Sequence, residues 1–324
     1  MKIAILTYLE SETDKAHDVV VDQIAAALKA NGHKVTVVGE HGDARRLIRS
    51  LARAKPDLVF NVMEMFGENV LGDVAVTGLL DLLGYRYTGC GPAELALAQD
   101  KALAKKLLAF EGILYPKFAV FSKEADLETG GNLRMPLFVK PLRMDASIGI
   151  DKKGLVHDTR SLLTRVLAIH EKCNDSALAE EYIDGRELYV GVIGNIQPTP
   201  LPPIEIDFSG MPEGMPHILD WKAKFDEKSA AFKGTKAVLA NLPDELRAKL
   251  QKIAVDAYRA LKVKDYGRVD LRLTEAGDIY VLEVNASCYL EAASEFATSA
   301  KAAGIEYEAL IQRIVDLATE RYGK

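Results

Sequence analysis

The chain has 324 residues, 48% of them hydrophobic and 27% charged, with a formal net charge of −6. This is the composition of a soluble globular protein too long for one ordinary core, so two or three packed units are expected. The acidic balance and the scatter of basic residues exclude a general pull toward nucleic acid or anionic membrane.

The opening "MKIAILTYLE" has an apolar stretch, but Glu10 cuts it short and no small-residue cleavage site follows. It reads as a first β-strand rather than a leader. A helix over Lys15 to Ala30 is stopped by Asn31-Gly32. "KVTVVG" is a strand, "DARRLIRSLARA" a helix, "DLVFNV" a strand after Pro56 and "VTGLLDLLG" a helix ending at Gly84. This alternation over residues 1–95 predicts an α/β unit with a parallel βαβ sheet. Its first turn, "TYLESETDKAHD", has no glycine, so the dinucleotide fingerprint is absent and a dehydrogenase loses its main support.

"GPAELALAQDKALAKKLLAFEG" reads as a helix, and strand patterns follow in "KFAVF", "PLFVKP", "SIGI", "ALAEEYI" and "ELYVGVIG". With an interleaved helix from Ser161 to Lys172, residues 96–183 predict an antiparallel α+β unit. Residues 184–324 add strands, a polar loop from Asp220 to Thr235, a helix from Pro243 to Leu261, a hairpin, and a closing helix from Tyr307. Cys90, Cys173 and Cys288 are far apart and odd in number, which argues against a disulfide framework or zinc knuckle and fits a reducing cytoplasm. No apolar run approaches the length of a membrane span.

The hairpin, "GRVDLRLTEAGDIYVLEVNAS" at residues 267–287, gathers Arg268, Asp270, Glu283 and Asn285. A loop of Glu275 to Asp278 would pair Thr274 with Ile279, placing Leu271 opposite Leu282, Val269 opposite Val284, Asp270 opposite Glu283 and Arg268 opposite Asn285. One face is then wholly apolar. The other brings two carboxylates to roughly 5 Å at Cβ, where like charges repel. Either Arg268 or Arg272 answers them on a solvated face, or a divalent cation with oxygen ligands sits between them.

"PLFVKP" sets Lys140 in an apolar strand, where a lysine needs an anion. The following "LRMDASIGI" is either a plain hairpin connection or a phosphate loop using Ser147. In "ALAEEYIDGRELYVGV", Glu180 and Glu187 flank a hinge, as exposed strand-end acids or as partners for an adenine amino group and ribose hydroxyls.

The succession "DK", "FVKP…SIG", "EEYIDGRE", "DWKAK", "GRVDLRL" and "YVLEVN", in that order, resembles the ATP-grasp fold over nearly the whole chain. Its D-alanine–D-alanine ligase branch is the most similar. The resemblance implies an N-terminal substrate-binding domain (1–95), a central ATP-grasp subdomain (96–183) and a C-terminal one (184–324) bearing the metal site and a mobile loop, 220–235. It implies phosphate contacts from Lys101, Lys140, Ser147 and Lys224, an adenine hinge at Glu180, Glu181, Tyr182 and Ile183, and a ribose carboxylate at Glu187. Asp270, Glu283 and Asn285 match ligands for Mg²⁺ (or Mn²⁺), with two ions expected; Arg268 matches the arginine facing the tetrahedral intermediate. ATP would activate a carboxylate as an acyl phosphate, which an amine then attacks. Small amino acids or a dipeptide precursor are the implied substrates, and homodimers are common in the family.

Several positions depart from the family pattern. Ala146 and Phe225 stand where a serine and a tyrosine are expected, and only Glu10 or Glu12 is available for the N-terminal glutamate. "FGENVLGD" replaces a glycine-rich stretch, and Ala286, Ser287, Cys288 and Tyr289 replace a Thr-x-Pro-Gly pattern. Ser294 falls where the family binds the second substrate's carboxylate, though a capping serine suits the position equally. Lost hydroxyls change specificity, so a different amino acid or a hydroxy acid is an alternative second substrate. A non-catalytic ATP-binding protein is the other alternative, opposed by the presence of both Lys224 and Arg268.

Overall fold

In the computed structural model, which describes residues 1–11, 13, 17–69, 71–123, 127–129, 132–144, 151–211, 218–219, 226 and 228–323, the opening segments build a parallel sheet. Its strands β1 (Lys2–Tyr8), β2 (Lys34–Glu40) and β3 (Leu58–Val62) run in the order β2-β1-β3. Ile3, Ala4, Ile5 and Leu6 are all buried, because helices cover both faces of a parallel sheet. Helix α1 (Val19–Ala30) begins later than Lys15 because the Asp18 carboxylate caps it, accepting the Val20 N–H at 2.9 Å. Helix α2 (Ala44–Ala54) is capped by Asp43, and α3 (Gly72–Leu82) starts one turn ahead of the expected Val76. Leu47, Leu51, Val76 and Leu80 pack on one face of the sheet. Ile24 and Leu28 pack on the other, together with Leu310, Ile311 and Ile314 of the closing helix.

The expected single helix over 91–112 is two, α4 (Pro92–Gln99) and α5 (Lys101–Phe110). Asp100 leaves the helical region with ψ 93° and turns its carboxylate to the Leu103 N–H at 3.0 Å, starting a new helix. A second sheet follows, with β4 (Phe118–Phe121), β5 (Leu127–Thr129), β6 (Leu137–Pro141), β7 (Leu155–Val156) and β8 (Ala177–Glu181) in the order β5-β4-β8-β6-β7. Helix α6 (Thr159–Cys173) packs Leu162, Val166 and Ile169 on it. The expected strand 147–150, with Ser147, and Ala146 lie outside the described residues.

The third sheet is antiparallel. It holds β9 (Arg186–Ile193), β10 (Thr199–Pro200), β11 (Ile204–Asp207), β12 (Lys236–Leu239), β13 (Tyr266–Leu273) and β14 (Ile279–Asn285), in the order β12-β11-β9-β13-β14 with β10 beside β9. Within the polar loop, residues 230–234 form a short helix, α7 (Ala230–Gly234), capped by Ser229. Lys224 and Phe225 lie outside the described residues. Helix α8 (Asp244–Ala260) covers one face; α9 (Glu295–Ala302) and α10 (Tyr307–Arg321) close the chain. No helix among the described residues is long and apolar enough to cross a membrane. The three cysteines are free thiols, Cys90 and Cys288 buried.

The hairpin register holds for Arg268, Val269 and Asp270 but slips at Leu271. Leu271 pairs with Val281, Arg272 with Tyr280 and Leu273 with Ile279, so Leu282 is one residue too many on β14. This β-bulge corrects the expected pairing of Leu271 with Leu282. Ile279, Val281 and Val284 thereby all reach the apolar core beneath α8. Leu282 is freed for the opposite face.

Asp265 ties the first unit to the rest. Fully buried at φ 62°, its carboxylate accepts the Gly89 N–H at 2.8 Å, the Asn195 amide at 3.0 Å and the Arg321 guanidinium at 3.1 Å. Arg321 also donates to the Tyr87 and Gly89 carbonyls. Asp265→Ala leaves Arg321 without its counter-charge and should cost about 3 kcal/mol or more. Urea denaturation measures this, and a loss under about 1 kcal/mol would show that the tie carries little of the docking.

Candidate active site

A cleft between the second and third sheets is lined by Lys101, Lys140, Glu180, Glu181, Tyr182, Ile183, Glu187, Arg268, Asp270, Glu283 and Asn285. Every described residue expected to contact nucleotide or metal therefore faces one space. They arrive from separate places: Lys101 from the start of α5, Lys140 from β6, Glu180 and Glu181 from β8, Tyr182 and Ile183 from the connection to β9, Glu187 from β9, and Arg268, Asp270, Glu283 and Asn285 from the β13–β14 ribbon. Ser147 and Lys224 lie outside the described residues.

The opposed carboxylates do not repel each other unopposed. Asp270 receives Arg268 at two points, Nε at 2.7 Å and Nη2 at 3.0 Å, and the Asn285 amide at 3.1 Å. Glu283 receives Lys101 Nζ at 3.1 Å. Burial pushes the Glu283 carboxyl up, but Lys101 and Lys140 outweigh it and hold the group down to about 2. The ribbon face is thus salt-bridged, but it is turned into the cleft and not toward bulk solvent.

Lys140, the lysine that needed an anion, has one in Glu180 at 2.8 Å. The same carboxylate meets Lys105 at 3.1 Å. Burial would raise the Glu180 carboxyl, and the two ammonium groups reverse it, so it is held below the usual range. Lys105 also donates to the Leu282 carbonyl at 2.8 Å, the backbone group at the bulge. Lys101 and Lys140 line this end of the cleft with Glu180 and Glu283, while Lys105 is buried against Glu180; two ammonium groups in one cleft suit a polyphosphate.

Toward the hinge, Arg272 pairs with Glu187 at 2.5 Å and reaches the carbonyls of Ile183 and Gly185. Tyr189 donates its hydroxyl to Glu187 at 2.7 Å, and its ring lies 4.4 Å from the Arg268 guanidinium. Burial alone would lower the Arg268 pKa; Asp270 and Glu295 more than offset this and keep it charged.

Among the described residues, no three His, Cys, Asp or Glu side chains cluster as a metal site. The ribbon instead offers two carboxylates opposite one another with the Asn285 amide beside them. That is an oxygen donor set for a hard cation such as Mg²⁺, which takes one or two carboxylates and completes its shell with water and phosphate oxygens. The residues fit the ion.

Ser294 stands at the N-terminus of α9, where a helix cap and a carboxylate contact are compatible roles. It caps α9, lies near the Ala297 N–H at 3.5 Å, donates to the Tyr289 carbonyl at 3.2 Å, and does not line the cleft. Tyr289 donates to Asp18 at 2.6 Å, docking the segment after Asn285 onto α1. Glu10 is exposed beyond the end of β1, and Glu12 lies outside the described residues.

Lys105, Tyr189 and Leu282 are members of this site that sequence reading missed. Lys105 follows Lys101 by four residues on an apolar helix, a spacing that puts both on one face. No sequence signal distinguishes Tyr189 from a core tyrosine. Leu282 became visible only through the bulge.

Residues 106–316 match the family model described as D-ala D-ala ligase C-terminus. The D-alanine–D-alanine ligase of Pelotomaculum thermopropionicum is 30% identical over 86% of this chain and 85% of its own. An uncharacterized protein of Sinorhizobium fredii is 34% identical over 94% of this chain and 88% of its own. A crystal structure of the Bacillus anthracis D-alanine–D-alanine ligase complexed with ATP superposes with a TM-score of 0.78 at 25% identity, covering 98% of this chain and 97% of that one.

The shared Glu180 carboxylate makes stability depend on pH. Its folded pKa is depressed, so its contribution is present above the ordinary glutamate range near 4.3 and is lost as pH falls through the folded value. Glu180→Gln should therefore flatten the acid limb of a stability-against-pH curve below about pH 4, by up to about 1.4 kcal/mol per pH unit. Equal acid slopes in the two proteins would refute the assignment.

Proposed function

The chain belongs to the D-alanine–D-alanine ligase family, and from that premise we propose that it activates a small carboxylic acid as its acyl phosphate and passes the acyl group to an amine, using Mg²⁺. It is an ATP-dependent ligase of the ATP-grasp fold. The observation that carries the site assignment is the opposed Asp270–Glu283 pair, buried in a cleft with Lys101 and Lys140 beside it.

Asp270, Glu283 and Asn285 would hold the divalent cation, which supplies positive charge against the phosphates while a carboxylate oxygen approaches phosphorus. The chain's own residues do the rest. Lys101 and Lys140 present two ammonium groups to the same anionic space. The strand end from Glu181 to Ile183 lines the cleft and would meet the edge of the adenine base, with Leu282 as an apolar surface. Glu187 is oriented by Arg272 and Tyr189 and suits ribose hydroxyls. When the amine attacks, a C–N bond forms as the acyl C–O bond breaks, and phosphate leaves with the electron pair while the amine gives its proton to solvent. Arg268, held by Asp270 and Tyr189, is positioned to carry charge that develops on the acyl oxygen.

Amino acids suit the small-substrate reading, and three free thiols suit a reducing cytoplasm. Asp270→Asn should abolish ADP release, by about a thousandfold or more, with an unchanged circular dichroism spectrum. Normal turnover in that variant would sink the metal assignment. Lys140→Ala should weaken ATP binding about tenfold or more, and calorimetry showing equal affinity would make Lys140 a partner of Glu180 alone. Mass spectrometry of reactions with ATP, Mg²⁺ and mixed D- and L-amino acids tests the reaction itself; ATP binding with no ligated product across amines and hydroxy acids would favour a non-catalytic binder.

A further inference from the structure

The ladder between β9 and β13 sets one tyrosine between two functional groups of the cleft. Its register places Glu187 opposite Arg272, Tyr189 opposite Asp270 and Gly191 opposite Arg268. Alternate residues of a strand share a face, so Glu187, Tyr189 and Gly191 lie beside Arg272, Asp270 and Arg268. Gly191 gives Arg268 no side chain to lie against, and a Cβ there would come within 2.9 Å of Leu201 and Phe296. The guanidinium lies over the Tyr189 ring instead, 4.4 Å from its centroid. In the other direction along the strand, the Tyr189 hydroxyl donates to Glu187 Oε1 at 2.7 Å, while Arg272 holds Oε2. Glu187, Tyr189, Arg268 and Arg272 all line the cleft.

The Tyr189 ring also belongs to an apolar cluster with Ile204, Ile206, Phe208 and Leu219. Phenylalanine would fill that cluster equally well, so packing alone does not call for the hydroxyl. Its partner is a carboxylate, which makes the bond stronger than one to a neutral acceptor. The contact between ring and guanidinium is likewise strengthened by its removal from water.

We propose that Tyr189 is a positioning residue with two separable tasks: its hydroxyl fixes Glu187 for the ribose hydroxyls of the nucleotide, and its ring fixes Arg268 for acyl transfer. This inference rests on the ligase reading above. A carboxylate held at both oxygens keeps its remaining lone pairs in a set direction. A site built in that way to meet sugar hydroxyls rejects a sugar that lacks one. An arginine already laid against a ring has less freedom to lose when charge develops beside it.

The test measures ADP release with ATP, 2′-deoxy-ATP and 3′-deoxy-ATP, using the substrate pair that the mass-spectrometric screen identifies. Tyr189→Phe keeps the ring and removes the hydroxyl. It should narrow the kcat/KM preference for ATP over the deoxy nucleotides about fivefold, through the nucleotide KM, with kcat within about twofold of wild type. Tyr189→Leu removes the ring as well, and its kcat should be about tenfold below that of the phenylalanine variant. Circular dichroism checks both folds, and the phenylalanine result stands alone if the leucine variant does not fold. An unchanged nucleotide preference in Tyr189→Phe, or equal kcat in two folded variants, would overturn the inference and leave the ligase reading standing. Wild-type protein that binds ATP and forms no product would overturn the ligase reading and the acyl-transfer task with it. Calorimetric affinities of wild type and Tyr189→Phe for the three nucleotides would then decide the sugar task.

Discussion

Two carboxylates facing each other across a β-ribbon, out of bulk water, set the condition that the surrounding structure satisfies. Buried charge is tolerated only when paired, and the pairing cations for Asp270 and Glu283 come from separate places, Arg268 on the same strand as Asp270 and Lys101 on the helix α5. Bringing Lys101 there requires α5 to begin at that residue, which the Asp100 cap ensures. The same helix face then delivers Lys105 one turn later to Glu180 and to the bulged Leu282 carbonyl. A single helix thus links the two halves of the cleft through two ammonium groups.

Such a network is a poor source of net stability, since desolvation offsets much of the attraction. Its value is preorganisation. Charges already fixed in a low-dielectric cleft need little rearrangement when an anionic ligand arrives, and their fields act more strongly there than in water. Glu180 illustrates this. Two lysines share this one carboxylate, so the buried acid is compensated from two sides. The bulge at Leu282 serves the same end, because without the extra residue the carbonyl that Lys105 meets would remain in the regular ladder.

Beyond Arg268, Glu295 meets the guanidinium at 3.4 Å and Ser294 caps α9 while donating to the Tyr289 carbonyl. Tyr289, one of the departures legible in the sequence, sits on the segment that α1 clamps through Asp18 and Gln23.

Much of this was legible in the chain itself. Continuous apolar runs between helical stretches mark the parallel first sheet, and apolar alternation marks the strands of the ribbon and the facing of Asp270 with Glu283, because side-chain period and burial are local properties. Motifs in order announce the nucleotide end for the same reason: each needs only a few neighbouring residues. Tertiary structure alone decided which cation answers which acid, that Tyr189 lies beneath Arg268, and that the register slips at Leu271. Those outcomes depend on groups tens to hundreds of residues apart meeting in space, and on a core beneath α8 that accepts Val281 in place of Leu282. Local pattern carries the period of a strand, but it does not carry the shape of the surface against which that strand must pack.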